Sequence, residues 1–313
     1  MTTIGVVIPA HNAEEWIGEA LASVAAQTRL PEAVVVVDDE SSDATTTVAR
    51  SWCERLPLVV LDGRTNTGPG GARRDGIAAL ATDLVALLDA DDVWLPDHLS
   101  VMERTYRASG GLVSASALRW AGGGATARRG MPAPSSAPAT ERQLLALLER
   151  DFLFSGTLFA RSLYDEVGGF RDFRGTEDWD LWLRMVNAGA VVSVGPKPTV
   201  LHRVHGSSLS ASAALIREEI RVVETFVYEH PDNAAARAVA RRTLRRLRAN
   251  TWLQQSYVAA RSGNHRRARA DAARALAGTG PTRIYAAAMM TAPALAVARR
   301  DRLHDNAEWQ VDR

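Results

Sequence analysis

The sequence predicts an α/β fold, in which a mostly parallel, Rossmann-like sheet is flanked by helices and is followed by an all-helical C-terminal region. In the first hundred residues, short continuous apolar runs alternate with amphipathic stretches. This is the pattern of a parallel sheet that is covered by helices on both faces. Beyond residue 210 the pattern becomes wholly helical and rich in Ala and Arg.

Four strands and three helices are predicted in this first part of the chain. The apolar runs contain four or five residues, which suits buried strands, and the longer stretches between them have helical periodicity. Ser41-Ser42-Asp43 is a helix-capping signal before the second helix. The predicted strands are residues 4–8, 33–37, 58–61 and 84–88, and the predicted helices are residues 14–27, 43–53 and 70–81.

Polar groups follow three of these strands at the point where each should end. They are Pro9-Ala10-His11, Asp38-Asp39 and Asp89-Ala90-Asp91-Asp92. Because ligands of open α/β sheets bind outside the carboxyl ends of the strands, we expect one pocket lined by all three groups. The Asp-x-Asp sequence could hold a hard divalent cation through oxygen ligands, which leaves coordination positions for phosphate oxygens. An acidic surface turn is the alternative.

Composition limits the classes of partner and the compartment. The chain has 313 residues, with 37 Lys and Arg against 36 Asp and Glu, so its charge balance gives no argument for a nucleic-acid partner. Cys53 is the single cysteine, which excludes an internal disulfide and fits a reducing cytoplasm. We expect no signal peptide, and the sequence has no uninterrupted apolar stretch of about 20 residues. We therefore expect a cytoplasmic protein with at most peripheral contact at the inner face of a membrane.

Six motifs in a fixed order give the chain a resemblance to a known family. The chain resembles inverting glycosyltransferases of the GT-A fold, family 2, over about residues 3–210. The motifs that carry the resemblance are Val7-Ile8-Pro9-Ala10-His11-Asn12, Val37-Asp38-Asp39-Glu40-Ser41-Ser42-Asp43, Asn66-Thr67-Gly68 to Arg73, Asp89-Ala90-Asp91-Asp92, Glu177-Asp178 and His202-Arg203-Val204-His205.

The resemblance implies a reaction and a division of the chain. It implies transfer of a sugar from a nucleotide-sugar donor, with UDP-sugar favoured, to an acceptor hydroxyl, with Mn²⁺ or Mg²⁺ as cofactor. It also implies a glycosyltransferase domain at residues 1–209, with a nucleotide-sugar-binding half at 1–105 and an acceptor half at 106–209. The helical region then occupies residues 210–313.

The resemblance also assigns roles to individual residues. Asp178 is the expected general base, Glu177 is expected to orient the acceptor, and Asp91 and His205 are the expected metal ligands. The residues expected to bind the donor are Pro9, Ala10, His11, Asp39, Asn66, Arg73, Asp89 and Gly156, where Asp39 contacts the base, Asp89 the ribose, and Gly156 allows backbone to approach the sugar.

Several of these residues have a simpler interpretation. In this interpretation Asp39 does no more than cap a helix, and Arg73 does no more than form a surface salt bridge. Asp178 could be an ordinary acidic residue of a first helical turn. His202 competes with His205 as the metal ligand. Trp182 has the spacing of a core residue, whereas Trp179 could either stack on a sugar or be buried.

Two other functions remain as alternatives. A sugar-1-phosphate nucleotidyltransferase should carry a Gly-rich loop with a basic residue after the first strand, where this chain has Pro9-Ala10-His11-Asn12. A non-catalytic sugar-nucleotide-binding or scaffolding protein on the same fold is the second alternative. The Gly- and Pro-rich segment 121–140 is either a loop over the site or a surface excursion.

The C-terminal region contains a basic helix and a helical hairpin. Residues 237–248 carry six arginines and no acidic residue, with apolar positions at Val239, Leu244 and Leu247. This pattern predicts a helix with one buried side and a solvated basic face, and membrane-surface binding is the alternative. Residues 256–276 predict two helices joined by a turn at Gly263.

Overall fold

The structure is a computed structural model, and it describes residues 2–63, 65–120, 128–129, 137–204, 213–278, 281–294 and 297. The chain forms two compact units, residues 1–209 and 210–313. In the first unit the described residues form one nine-stranded mixed sheet flanked by helices, in the order β3-β2-β1-β4-β8-β6-β9-β5, with β7 paired to β6. The described part of the second unit is helical.

The N-terminal half of the first unit is a parallel α/β arrangement. Strand β1 lies between β2 and β4, and β2 pairs with β3, all in parallel. The strands β1, β2 and β4 are almost entirely buried, which explains their continuous apolar sequences. The elements are β1 Ile4–Ala10, α1 Ile17–Ala25, β2 Ala33–Asp38, α2 Thr45–Arg50, β3 Leu58–Asp62, α3 Gly68–Ala78 and β4 Leu84–Leu87.

The second half of this unit extends the sheet with antiparallel pairs. Strand β8 pairs antiparallel with both β4 and β6, and β5 pairs antiparallel with β9, whereas β6 and β9 are parallel. The elements are β5 Val93–Trp94, α4 His98–Ser109, β6 Leu112–Trp120, β7 Arg128–Arg129, a 3₁₀ turn Thr140–Arg142, α5 Gln143–Glu149, β8 Thr157–Ala160, α6 Arg161–Glu166, α7 Glu177–Asn187 and β9 Val192–Arg203.

The second unit contains the predicted basic helix and the predicted hairpin. Helix α9 buries Val239 and Leu247, so its arginine-rich segment has one buried side. Gly263 adopts a φ of +78°, a left-handed conformation that suits glycine, in the turn between α9 and α10. The helices are α8 Ala213–Glu229, α9 Ala234–Arg261, α10 His265–Ala275 and α11 Pro281–Thr291.

The predicted fold class is confirmed, and the three predicted helices differ from the observed ones by two or three residues at each end. Helix α2 begins at Thr45, and Ala44 occupies its N-cap position without a side-chain bond. Asp43, one position before the N-cap, supplies the capping hydrogen bond, because its carboxylate accepts the backbone N–H of Thr45 at 3.0 Å. Of the segment 121–140, residues 121–127 and 130–136 lie outside the described residues, and Arg128–Arg129 pairs with β6. No helix among the described residues is long and apolar enough to cross a bilayer.

Candidate active site

The carboxyl ends of β1 and β2 meet around Asp39, which is buried. The backbone N–H of Asp39 donates to the carbonyl of Ala10 at 2.7 Å, which continues the register that pairs Pro9 with Val37. The Asp39 carboxylate accepts the N–H groups of Thr67 and Gly68, each at 2.8 Å. Asp39 therefore caps the start of α3, which follows β3, as well as ending β2. Helix capping, the simpler interpretation of Asp39 from the sequence, is thus observed, and the capped helix is α3.

A polar cluster covers the open side of this strand edge. Asn12 donates to Nε2 of His11 at 3.0 Å, so the proton of the His11 ring lies on Nδ1, which donates to the carbonyl of Asp39 at 2.8 Å. The side-chain amide of Asn66 reaches the same carbonyl at 3.3 Å, and its backbone N–H bonds Glu40 at 3.0 Å. The structure thus brings His11 and Asp39 together at the strand ends, as predicted, and places Asn66 beside them.

Arg73 on α3 is the centre of the site's ionic network. It is 4% exposed, and its two terminal nitrogens bond Asp89 and Glu177, each at 2.6 Å. The surface salt bridge considered from the sequence is therefore wrong, because the ion pairs are buried. Asp89 follows β4 and Glu177 begins α7, so one guanidinium joins three elements of the fold.

Asp89 has a second partner that the sequence did not reveal. The hydroxyl of Ser155 donates to its other carboxylate oxygen at 2.6 Å. The Arg73 charge and the bonds from Ser155 and Arg73 hold the pKa of Asp89 below its usual range against the opposing effect of burial. The neighbouring Gly156 is buried, with its carbonyl bonded to the N–H of Ala115 at 2.9 Å. A Cβ at this position would lie 2.8 Å from the ring of Phe154.

Glu177 and Asp178 begin helix α7 but have different environments. Glu177 is 2% exposed, and its Oε2 accepts the N–H of Gly175 at 2.7 Å while its Oε1 is held by Arg73. Both of its oxygens are thus bound within the protein, which favours a positioning role over the expected contact with an acceptor. Its side chain also packs on Gly70, where an added Cβ would lie 2.7 Å from its Cγ.

Asp178 is half-buried, and its pKa is raised to about 7. Burial is the main cause and the neighbouring charge of Glu177 adds to it, whereas Arg73 and the N–H of Trp179, which bonds Oδ1 at 2.8 Å, act in the opposite direction. A carboxylate with a pKa near neutrality can accept a proton at physiological pH and hold it.

The acidic loop after β4 is tied to the end of β9. Asp92 is buried and accepts the backbone N–H of Arg203 at 3.0 Å, and Nδ1 of His202 lies 3.1 Å from the same oxygen. The Arg203 guanidinium donates to the carbonyl of Asp91 at 2.9 Å and lies over the ring of Trp120. His202, the competing metal ligand, is thus engaged by Asp92. The sequence placed Arg203 within a motif but gave it no role, and the structure shows that it shapes this loop.

The chemistry of this loop suits a hard cation, although the structure does not define a ligand set. Burial and the charges of Asp89 and Asp91 raise the pKa of Asp92 to about 6, against the effect of His202, so added positive charge would be stabilised here. Asp91 is half-buried, and its carboxylate is a donor of the kind that Mg²⁺ and Mn²⁺ prefer. His205, the other expected ligand, lies outside the described residues, among which no group of three His, Cys, Asp or Glu side chains is arranged to hold a metal.

The two tryptophans of α7 belong to the core. Trp179 is 3% exposed and its indole N–H donates to the carbonyl of Leu147 at 2.8 Å, so the sugar-stacking alternative for it is wrong. Trp182 is fully buried, with its ring edge-on to Phe159, as its helical spacing predicted.

Comparison with known families decides the class of the protein. The model of the family described as glycosyl transferase family 2 matches residues 5–168, which is more than half of the chain. The chain belongs to this family. It is a glycosyltransferase, and the non-catalytic and nucleotidyltransferase alternatives are set aside.

Curated relatives include proteins of polysaccharide biosynthesis. The glycosyltransferase is 28% identical over 257 residues to the succinoglycan biosynthesis protein ExoO of Rhizobium meliloti, which covers 77% of this chain and 73% of the relative. It is 43% identical to ExoW of the same organism over 106 residues, 32% of each chain. It is 25% identical over 236 residues to the uncharacterized glycosyltransferase YwdF of Bacillus subtilis, covering 72% of this chain and 84% of that one.

Solved structures confirm the fold. The S. aureus TarS 1–349 crystal structure in complex with UDP-GlcNAc superimposes with a TM-score of 0.65 at 18% identity, covering 96% of the glycosyltransferase and 92% of that chain. TarS 1–349 in complex with UDP matches with a TM-score of 0.61. At 18% identity this similarity establishes the fold and nothing about activity or ligands.

Proposed function

We propose that the protein is an inverting, metal-dependent glycosyltransferase that transfers a sugar from a UDP-sugar to an acceptor hydroxyl, with Asp178 as general base. The observation that carries this proposal is the position of Asp178 in the first turn of α7, directly after Glu177, where burial and the charge of Glu177 raise its pKa to about 7. An inverting transfer needs a base near the acceptor hydroxyl, on the face of the sugar opposite the leaving nucleotide. A carboxylate poised near neutral pH meets that need.

The donor would bind at the strand ends that surround Asp39 and Asp89. His11, Asn66 and the backbone of Pro9 and Ala10 line the edge where Asp39 lies, and we assign this group to the nucleoside. Arg73 and Ser155 hold Asp89 in one orientation, and its side chain is 26% exposed, against 3% for Glu177, so its oxygens can still accept hydrogen bonds from a ribose. That TarS has been solved with UDP and with UDP-GlcNAc supports a uridine nucleotide.

Two expected roles are revised. The buried ion pairs of Arg73 favour a positioning role, in which it fixes Asp89 and Glu177, over direct contact with the nucleotide. Glu177 likewise serves to fix the start of α7 and to raise the pKa of its neighbour. The expected role of Gly156, the approach of backbone to the donor sugar, is assigned to its N–H, because its carbonyl is engaged by Ala115.

The cation would be held by Asp91 together with His205. When bound, Mn²⁺ or Mg²⁺ would neutralise the negative charge that develops on the pyrophosphate as it leaves. The protein's own part is to orient Asp89, to keep the acidic loop against β9 through Arg203, and to hold the proton of the acceptor on Asp178.

The substitution Asp178→Asn tests the proposal, because it preserves the shape of the side chain and removes its basicity. We expect turnover to fall about 10²–10⁴-fold with little change in donor affinity. Asp172→Asn, at an exposed carboxylate before α7, is the matched control and should keep wild-type turnover. NMR of the anomeric proton of the product gives the stereochemistry. A product that retains the donor configuration, or near wild-type turnover of Asp178→Asn, would contradict the proposal.

A further inference from the structure

A stripe of arginines runs along helix α9 in the C-terminal unit. Arg241, Arg245 and Arg248 are spaced i, i+4 and i+7, and Trp252 follows one turn later. Residues with this spacing share one helix face, so the three guanidinium groups project from the same side of α9. All three arginines are exposed, whereas Trp252 is half-buried.

This stripe forms one wall of a cleft rather than a flat surface. Small residues bring α9 close to the chain that follows α10, since a Cβ added at Gly278 would lie 2.9 Å from the Cβ of Ala249. From α10, Arg274 places its guanidinium over the ring of Trp252, 4.6 Å from the ring centre. The cleft has a volume of about 380 Å³ and is lined by Arg241, Arg245, Arg248, Ala249, Trp252, Arg274 and Ala277.

The positive charge of the cleft is only half compensated. Arg248 pairs with Glu224 at 2.8 Å, and Arg274 pairs with Asp271 at 3.0 Å. In the part of the chain that the structure describes, Arg241 and Arg245 have no carboxylate or other hydrogen-bond partner. Like charges at i and i+4 repel each other on a helix face, and an anion bound between them would offset this repulsion.

We propose that this cleft binds a phosphate-bearing ligand, a function separate from the donor site. Guanidinium groups bind phosphate through paired hydrogen bonds, which lysine cannot reproduce. The concave shape and the indole wall suit a discrete molecule that carries a phosphate or diphosphate, whereas an anionic lipid surface attracts basic side chains by charge alone and needs no cleft. The inference does not rest on the proposed donor chemistry.

The test is calorimetric titration of the full chain with inorganic pyrophosphate in the presence of a chelator, which disables the proposed metal-dependent donor site. We expect Arg241→Ala/Arg245→Ala to weaken binding at least about tenfold. Arg241→Lys/Arg245→Lys, which keeps the charge, should also bind more weakly than the wild type. Arg266→Ala/Arg269→Ala removes two exposed arginines of α10 outside the cleft and should bind as the wild type does.

A second measurement distinguishes the sources of phosphate. Cosedimentation with phosphatidylglycerol vesicles, at low salt and at high salt, reports attraction to a lipid surface. Pyrophosphate binding that depends on Arg241 and Arg245, without vesicle binding, supports the cleft. The proposal is overturned by vesicle binding alone, by the absence of pyrophosphate binding, or by an equal loss in the Arg266→Ala/Arg269→Ala control. Circular dichroism of each variant verifies that the helices are retained.

Discussion

The guanidinium of Arg73 donates a 2.6 Å hydrogen bond to Glu177, although 104 positions separate the two residues in the chain. The same group bonds Asp89 at 2.6 Å, so α3, the end of β4 and the start of α7 are fixed to one buried cation. Asp178 is the next residue of α7. The position of the proposed base is therefore set by a contact that belongs to the donor half of the sheet.

Removing this cation should destabilise the protein. Arg73→Met leaves Asp89 and Glu177 without their cation, and breaking a buried pair from one side costs about 3–5 kcal/mol. Urea unfolding measures the loss in the free energy of unfolding. Arg74→Met is the control, since Arg74 is exposed and lies 3.8 Å from Asp75, and it should cost less than about 1 kcal/mol. Equal effects of the two changes would show that the bridge has no special role.

The activity should have an acidic limb set by Asp178. A general base acts in its deprotonated form, and burial with the charge of Glu177 raises the pKa of Asp178 to about 7. We expect kcat/KM to rise about tenfold per pH unit below pH 7 and to level off above it. Initial rates at saturating metal, measured over pH 5 to 9, give the profile. The residual activity of Asp178→Asn should lack this limb, and a wild-type profile that stays flat from pH 5 to pH 9 would refute the assignment.

The same group should reduce stability at high pH. Its folded-state pKa, about 7, lies above the ordinary value of 3.8, so the folded protein binds the proton more tightly than the unfolded chain. Its contribution is fully present below about pH 4 and is lost as the pH rises through 7. Asp178→Asn should therefore have a higher Tm than the wild type at pH 8, with the difference narrowing toward pH 4. A lower Tm for Asp178→Asn than for the wild type at pH 8 would contradict the raised pKa of Asp178.

Metal should control nucleotide binding as well as transfer. Asp91→Ala, or a chelator added to the wild type, should remove transfer and weaken the binding of UDP, because a cation neutralises the diphosphate. Thermal-shift titrations with UDP, with and without Mn²⁺, report this binding. Asp75→Ala, which removes an exposed carboxylate of α3, serves as the control. Full activity in chelator would exclude metal dependence.

The nucleobase of the donor should be uracil. We expect UDP to bind more tightly than GDP, since the edge formed by His11, Asn66 and the backbone carbonyl of Asp39 is a compact group at the end of two strands. Calorimetry with UDP, GDP and dTDP at equal Mn²⁺ concentration gives the order of affinity. Tighter binding of GDP or dTDP would overturn this choice.

Three strands of the donor half could be predicted from sequence because both of their faces are buried. Residues 4–8, 33–37 and 84–88 are continuous apolar runs, and each forms the expected strand to within a few residues. The helix starts could not be placed as well. Helix α3 begins at Gly68, because Asp39 binds the N–H groups of Thr67 and Gly68 from a different strand.

The ion pairs of Arg73 with Asp89 and Glu177 could not be predicted from the spacing of these residues in the sequence. The sequence indicated Asp89, Arg73 and Glu177 as separate motifs, yet their mutual contacts depend on how α3, β4 and α7 pack. Ser155 carried no signal of its own, and its bond to Asp89 joins positions 66 residues apart. Trp179 illustrates the same limit, since its position beside two carboxylates gave no indication that its indole N–H reaches Leu147.

The close packing of Gly70 on Glu177 has an evolutionary consequence. Because a Cβ at position 70 would lie 2.7 Å from the Cγ of Glu177, no larger residue fits there while the long acidic side chain is kept. The two positions should therefore vary together among homologues: a lineage that replaces the glycine must shorten or remove its partner, and with it the negative charge that tunes Asp178.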